Sequence, residues 1–197
     1  MAQGDLFDVL TVERVVPTAA RVAQLISWAA KLAELGFTPS YGPGDHGNMS
    51  VRTDQGLVIT ARATTKASLR AEDFVEVIGL QRRGSRAVVR CRGTRLPSTD
   101  TLLHLRLYEA RPDIGAILHG HDPATLAQAG SLELPMTKHS ASVPSLELIE
   151  EVCRLTAQHT YIVMRDHGFL ALGRSVDEAG AMVQTWSHRA RTAVPGS

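Results

Sequence analysis

The sequence predicts an α/β layered domain built on a mostly antiparallel sheet. Three observations carry that reading. Short apolar runs bounded by Gly, Asn, Asp and Pro recur along the chain, and Met49–Arg52 pairs with Leu57–Thr60 around Gln55-Gly56 as a hairpin. Segments with their apolar residues on one helical face stand before, between and after those runs. No internal repeat or linker divides the 197 residues, which suffice to bury one proper core.

In chain order, residues 1–16 lack a clear period and read as an N-terminal arm that orders against another subunit. Residues 17–192 read as a single domain and 193–197 as a short tail. Pro17–Leu35 is a helix with Val22, Leu25, Ile26, Ala29, Leu32 and Ala33 on one face and Gly36 placed to cap its end. The glycine-rich Tyr41–Ser50 turn either joins two strands or presents backbone N–H groups and an amide to an anion. After Leu57–Thr60 come the polar Ala61–Lys66, a helical turn over Ser68–Asp73 and a strand, Phe74–Ile78. Arg82, Arg83 and Arg86 around Gly84 form a solvated hairpin with Ala87–Cys91 as its partner. Leu96-Pro97-Ser98-Thr99-Asp100 opens a second helix, capped by Ser98 or Thr99, with Asp100 in its first turn and Leu102 and Leu105 inward. His104 then reads as a hydrogen-bonded supporting or core histidine.

Ile114–Leu118 is a buried strand stopped by Asp122-Pro123. A short helix over Ala124–Ala129, a loop from Pro135 to Pro144 holding Lys138 and His139, and a helix over Ser145–Gln158 follow. Strands Thr160–Met164 and Phe169–Gly173 flank Arg165-Asp166-His167-Gly168. Ser175-Val-Asp-Glu178 is a capping box that opens the final helix.

Composition excludes several classes of function. Hydrophobic residues are 44% and charged ones 21%, an ordinary globular balance rather than a disordered one. A net charge of +1 leaves no electrostatic footprint for nucleic acid or an anionic membrane, and no apolar run approaches a membrane span. The acidic N-terminus does not read as a signal peptide, and Cys91 and Cys153 are too few for a disulfide framework. The expected compartment is the cytoplasm.

The stretch with chemistry is Ile114-Gly-Ala-Ile-Leu-His119-Gly-His121. Residues two apart on a strand share a face, so His119 and His121 project together. Two neutral imidazoles side by side make half of a site for Zn²⁺ or a similar ion, and two capping or solvent-facing histidines are the bland alternative.

The segments taken together resemble the class II aldolase/adducin family, from about Leu25 to Trp186. The resemblance rests on Gly47-Asn48-Met-Ser-Val-Arg52, Leu57–Thr60, Lys66 with Leu69–Phe74, and Pro97-Ser-Thr-Asp100. Leu103–His121, Asp166-His167-Gly168 and Gly173–Ala179 complete it. It implies a three-layer α/β/α fold, a homotetramer with active sites between subunits, and a divalent metal on His119, His121 and His167. That metal is usually zinc, with Mn²⁺, Co²⁺ or Fe²⁺ as alternatives. It also implies anion binding at Gly47, Asn48, Ser98 and Thr99, and proton transfer by Asp100; Arg62 and Ala63 occupy the rest of the anion loop, where they are expected to take over the contact. The expected activity is a carbon–carbon lyase, aldolase or decarboxylase, acting through an enediolate on a small polyhydroxylated keto compound such as a sugar phosphate. An epimerase and a metal-free adducin-like module are the alternatives; a module has no physical need for three histidines. Three departures from the family pattern stand out. Asp100 replaces the aldolases' usual Glu, as in the epimerase branch. Thr60-Ala61-Arg62-Ala63 replaces Thr-Pro-Ser-Gly, so a guanidinium stands where an anion loop is expected. No tyrosine follows Tyr161, where the family often uses one from a C-terminal tail.

Overall fold

In two strands, Ala116–Gly120 and Gly168–Gly173, every residue is buried, whichever face it points to. Ala116, Ile117, Leu118, Leu170, Ala171 and Leu172 are all at 0% exposure. Such a sheet has to be covered on both faces. The structure, a computed structural model, describes residues 6–18, 21–84, 86–140 and 145–193 and shows that cover. Its strands are β1 (Phe7–Glu13), β2 (Asn48–Thr53), β3 (Gly56–Thr60), β4 (Phe74–Arg83), β5 (Arg86–Arg92), β6 (Ala116–Gly120), β7 (Tyr161–Met164) and β8 (Gly168–Gly173). Its helices are α1 (Arg21–Glu34), α2 (Thr101–Ala110), α3 (Pro123–Gln128), α4 (Leu146–Thr156) and α5 (Val176–Thr192).

The strands form one sheet in the order β1-β5-β4-β3-β2-β6-β8-β7. All its pairs are antiparallel except β1 with β5. Alternation along the strands divides the core in two. Ile117, Leu170 and Leu172 pack with Leu102, Leu105 and Leu107 of α2 and Ile149 and Val152 of α4. Ala116, Leu118 and Ala171 turn the other way, onto Leu25 and Leu32 of α1 and Val183 of α5. The result is the expected α/β/α sandwich with a mostly antiparallel sheet. Among the described residues no helix is long and apolar enough to cross a membrane.

Several boundaries differ from the sequence reading. Phe7–Glu13 is not a free arm: it lies parallel to β5 in register from Phe7↔Ala87 to Glu13↔Arg92, with Phe7 buried at its start. Residues 1–5 and the tail residues 194–197 lie outside the described residues. The first helix begins at Arg21, not Pro17, and residues 19 and 20 also lie outside them. β4 runs to Arg83, longer than Phe74–Ile78, because it pairs with β5 through the arginine hairpin. The Ser68–Asp73 turn is two 3₁₀ turns, Lys66–Ser68 and Ala71–Asp73. The capping box at Ser175 is half made. Ser175 Oγ accepts from Glu178 N at 3.1 Å, but the Glu178 carboxylate accepts from Arg174 instead.

Candidate metal centre

α2 lies along β2 in matching steps. Four residues of helix advance about 6.0 Å and two residues of strand about 6.6 Å, so i, i+4, i+8 on one can meet i, i+2, i+4 on the other. The side chains make these rungs. Asn48 Nδ2 donates to Asp100 Oδ2 at 2.6 Å, and Ser50 Oγ bonds His104 Nδ1 at 2.7 Å. Arg52 Nη2 donates to the Tyr108 carbonyl at 2.7 Å, with its guanidinium 4.7 Å from the Tyr108 ring centroid. The ladder places Asp100 one helical turn from the fully buried His104, whose pKa burial pulls down to about 4 against the pull of Asp100. His104 is thus neutral, the core histidine expected. Asp100 is not in the first turn of α2 but at its cap position, and its side chain makes no cap bond. Ser98 Oγ takes the Asp100 amide instead, at 3.2 Å. The carboxylate of Asp100 therefore belongs to Asn48 and to the open side, not to the helix.

Next to β2 runs β6, with Asn48 opposite His119 and Ser50 opposite Ile117. His119 and His121 hence share the face that carries Asn48, Ser50 and α2. His167 arrives from the turn between β7 and β8. Asp166 takes φ 56 there, and Gly168 follows because any Cβ would stand 2.3 Å from the Gly120 carbonyl oxygen and 3.1 Å from the His119 ring. One ligand atom from each of the three histidines falls within 4.8 Å of the others, and His119 Nε2 lies 3.1 Å from His167 Nε2. Two nitrogens on one tetrahedral Zn²⁺ stand about 3.3–3.4 Å apart, given bonds of about 2.0–2.1 Å.

The donor set suits a metal in its hydrogen bonding as well. His119 Nδ1 meets the Phe169 carbonyl at 2.8 Å; a carbonyl only accepts, so that nitrogen carries the proton and Nε2 is bare toward the centre. His121 Nε2 is buried with no hydrogen-bond partner among the described residues. An orphaned buried ring nitrogen of this kind calls for a ligand. Burial, chiefly, holds all three imidazoles in the neutral form a metal requires. His119 lies well below its ordinary value, His121 at about 2 with help from His119 and His167, and His167 is lowered against the pull of Asp100.

Three loops lie together beside this centre. Asp45 N donates to the Thr64 carbonyl, and a Cβ on Gly44 would stand 2.7 Å from Ala63, so the 44–48 and 61–64 segments touch. Arg62 N donates to Leu96 O and Ser98 N to Thr60 O, which joins 96–99 to the group. Gly47 takes φ 80 and would drive a Cβ to 2.7 Å from the His119 carbonyl. Ala63 also has positive φ, 52, the backbone of the glycine that the family pattern carries there. Buried Lys66 ties the loops by donating to the carbonyls of Asp45 and Thr64, with burial drawing its pKa to about 8. Gly47, Asn48, Ala63, Ser98 and Thr99 thus lie in neighbouring segments. Arg62 has turned its Nε to the Pro97 carbonyl at 2.7 Å and stands over the Phe7 ring.

Sequence reading missed residues that border the centre. His46 sits between Tyr41 and His121 with its ring tilted to both, the ring centroids 4.7 and 4.9 Å away. Its only signal was a histidine inside the glycine-rich turn. Asp122, read as part of a strand stop, is a buried N-cap of α3, and Arg191 of α5 gave no signal at all.

Residues 23–194 match the model of a family described as "Class II Aldolase and Adducin N-terminal domain". The chain is 31% identical over 182 residues to a methylthioribulose-1-phosphate dehydratase of Methylococcus capsulatus, covering 77% of this chain and 85% of that one. It is 28% identical over 171 residues to a 5-methylthioribulose-1-phosphate/5-deoxyribulose-1-phosphate aldolase of Rhodospirillum rubrum, covering 79% and 72%. Among solved structures, an L-fuculose 1-phosphate aldolase superposes with a TM-score of 0.71 and 25% identity, covering 89% of this chain and 85% of that one.

Proposed function

We propose that this chain, an enzyme that belongs to the class II aldolase and adducin family, is a lyase that removes water from a small ketose 1-phosphate, with a divalent ion on His119, His121 and His167. The observation that carries the reading is Asp100. Its carboxylate makes no helix cap, is held by Asn48 at 2.6 Å, and is close enough for its charge to act on His167. A divalent ion held by His119, His121 and His167 would supply Lewis acidity, stabilising the negative charge that develops beside a carbonyl in both elimination and carbon–carbon cleavage. In elimination, Asp100 takes the proton from the carbon beside the carbonyl, and the hydroxyl one carbon further leaves with a proton as water. In cleavage, the same carboxylate takes the proton of that hydroxyl, and the bond between the two carbons breaks. The dehydratase relative favours the first. The second, the reaction expected from the sequence, is favoured by the two aldolases.

The phosphate side of the reading is the loop group of Gly47, Asn48, Arg62, Ala63, Ser98 and Thr99, supported by the joining of their segments. Zinc is supported by an all-imidazole donor set. A homotetramer is supported by the exposed row Leu10, Val12, Val15 and Val16 on and beyond the edge strand β1. The cytoplasm is supported by two cysteines that form no disulfide.

The test is mass analysis after incubating the zinc-loaded chain with methylthioribulose-1-phosphate. A product lighter by one water that keeps every carbon is the expected result. Two fragments, one bearing the phosphate, would establish the cleavage reading instead. No turnover of this substrate or of L-fuculose 1-phosphate would overturn both.

A further inference from the structure

His119 and His121 also need holding from the opposite face of β6, and the group that does it comes from the far end of the chain. The residue after His121 is Asp122, whose side chain is 1% exposed. A buried carboxylate requires partners on both oxygens. Oδ1 accepts from Ala124 N and Oδ2 from Thr125 Oγ1, at 3.2 and 2.6 Å, which fixes the start of α3. The remaining positions are filled by Arg191 in the last turn of α5. Its Nη2 meets Oδ1 and its Nη1 meets Oδ2, each at 3.2 Å, a forked pair that lysine could not reproduce.

Arg191 is itself held by the carbonyl and hydroxyl of Ser187. Its guanidinium lies 5.3 Å from the centroid of Phe37, at the end of α1. Phe37 reaches the metal centre by two routes. Its carbonyl accepts from His121 N at 2.7 Å, and its ring packs edge-on against Phe169, whose carbonyl fixes the His119 ring. One arginine thus braces the backbone on both sides of His121 and, through Phe37, the group that orients His119.

We infer that the Asp122–Arg191 pair is a latch that positions the two strand histidines, so that metal affinity and the docking of the last turn of α5 are coupled. The latch rests on the metal reading above. Coupling of this kind is reciprocal: if docking the helix end raises metal affinity, metal must tighten the helix end by the same factor. Arg191 is a positioning residue, since it touches none of the ligand atoms.

The test uses the full chain with zinc alone. Zinc affinity is measured by competition with a chromophoric chelator for the wild type, Arg191→Gln, Arg191→Lys, Asp122→Asn and the Arg191→Gln, Asp122→Asn double variant. Hydrogen exchange over residues 187–193 is followed with and without zinc. Arg191→Gln is expected to weaken zinc binding by about 10–100-fold, as loss of an orienting partner does, while the metal-free circular dichroism stays unchanged. Arg191→Lys should recover only part of that loss, and the double variant should bind no more weakly than Asp122→Asn alone. Zinc should slow exchange at 187–193 in the wild type and not in Arg191→Gln. If Asp122→Asn fails to fold, the half-exposed Arg191 still gives the answer. Equal zinc affinity in wild type and Arg191→Gln, or zinc protection of 187–193 that survives the substitution, overturns the latch alone. A wild type that binds no zinc overturns the metal reading and the latch with it.

Discussion

The histidine centre and the three loops beside it are built on different principles. At the centre, direction comes from regular periods. His119 and His121 share a face because a strand alternates, and Asp100, His104 and Tyr108 meet Asn48, Ser50 and Arg52 because helix and strand advance at nearly equal pace. On the loop side no period operates. Direction there comes from backbone of positive φ at Gly47 and Ala63 and from a buried lysine that gathers carbonyls. A centre of the first kind resists displacement as a unit. A loop group of the second kind depends on single residues, and its failures should be local.

The largest effect expected separates chemistry from structure at the ladder's top rung. Asp100→Asn keeps the shape and removes the base, so kcat on the substrate identified should fall by about 10²–10⁴. Because the Asp100 side chain caps nothing, thermal stability should barely move. A stability loss with full turnover would return Asp100 to a helix-start role.

Acid attacks the second rung. His104 is neutral in the folded chain down to about pH 4, whereas an unfolded histidine takes its proton near 6.5. The unfolded chain therefore binds more protons, and stability is fully present above pH 6.5 and lost as pH falls toward 4. The loss from this residue is at most about 3 kcal/mol. Urea unfolding of the metal-free chain at pH 7 and pH 5 should show the decline, with a shallower slope in His104→Asn. Equal slopes would mean that His104 is protonated in place.

Two substitutions on the loop side should act in opposite directions. Gly47→Ala places a methyl on left-handed backbone and against the His119 carbonyl, at a cost of about 2–4 kcal/mol. Because the obstructed carbonyl belongs to a ligand residue, zinc affinity should drop as well. A neutral Gly47→Ala would mean that the loop yields freely. Ala63→Gly removes strain at φ 52 but adds freedom to the unfolded chain, so a small gain of about 0.5 kcal/mol is expected in thermal melts. A loss there would show that the methyl packs usefully.

What the sequence made legible follows the same division. The H-x-H face, the buried β6 and the core role of His104 came from period and composition, which local chemistry dictates. His167 was legible only through the resemblance, since a turn histidine has no period. Asp122 and Arg191 were not legible, because a bond across 69 residues leaves no trace in either neighbourhood and Asp122-Pro123 reads as a strand stop. β1 was missed for a related reason. Its residues pass from buried Phe7 to exposed Glu13 without alternation, as an edge strand paired on one side does. The left-handed backbone of Ala63 had one signal, the glycine that the family pattern carries at its position, because nothing in its own neighbourhood demands it.

The central claim is that three histidines from one strand and one turn hold a single divalent ion. Elemental analysis of the purified chain after zinc loading and removal of free metal tests it most directly. The account predicts about one zinc per chain in the wild type, set by a single site of three imidazole donors. It predicts none in the His119→Ala, His121→Ala double variant, with circular dichroism showing the sheet intact. Undiminished zinc in that variant would contradict it.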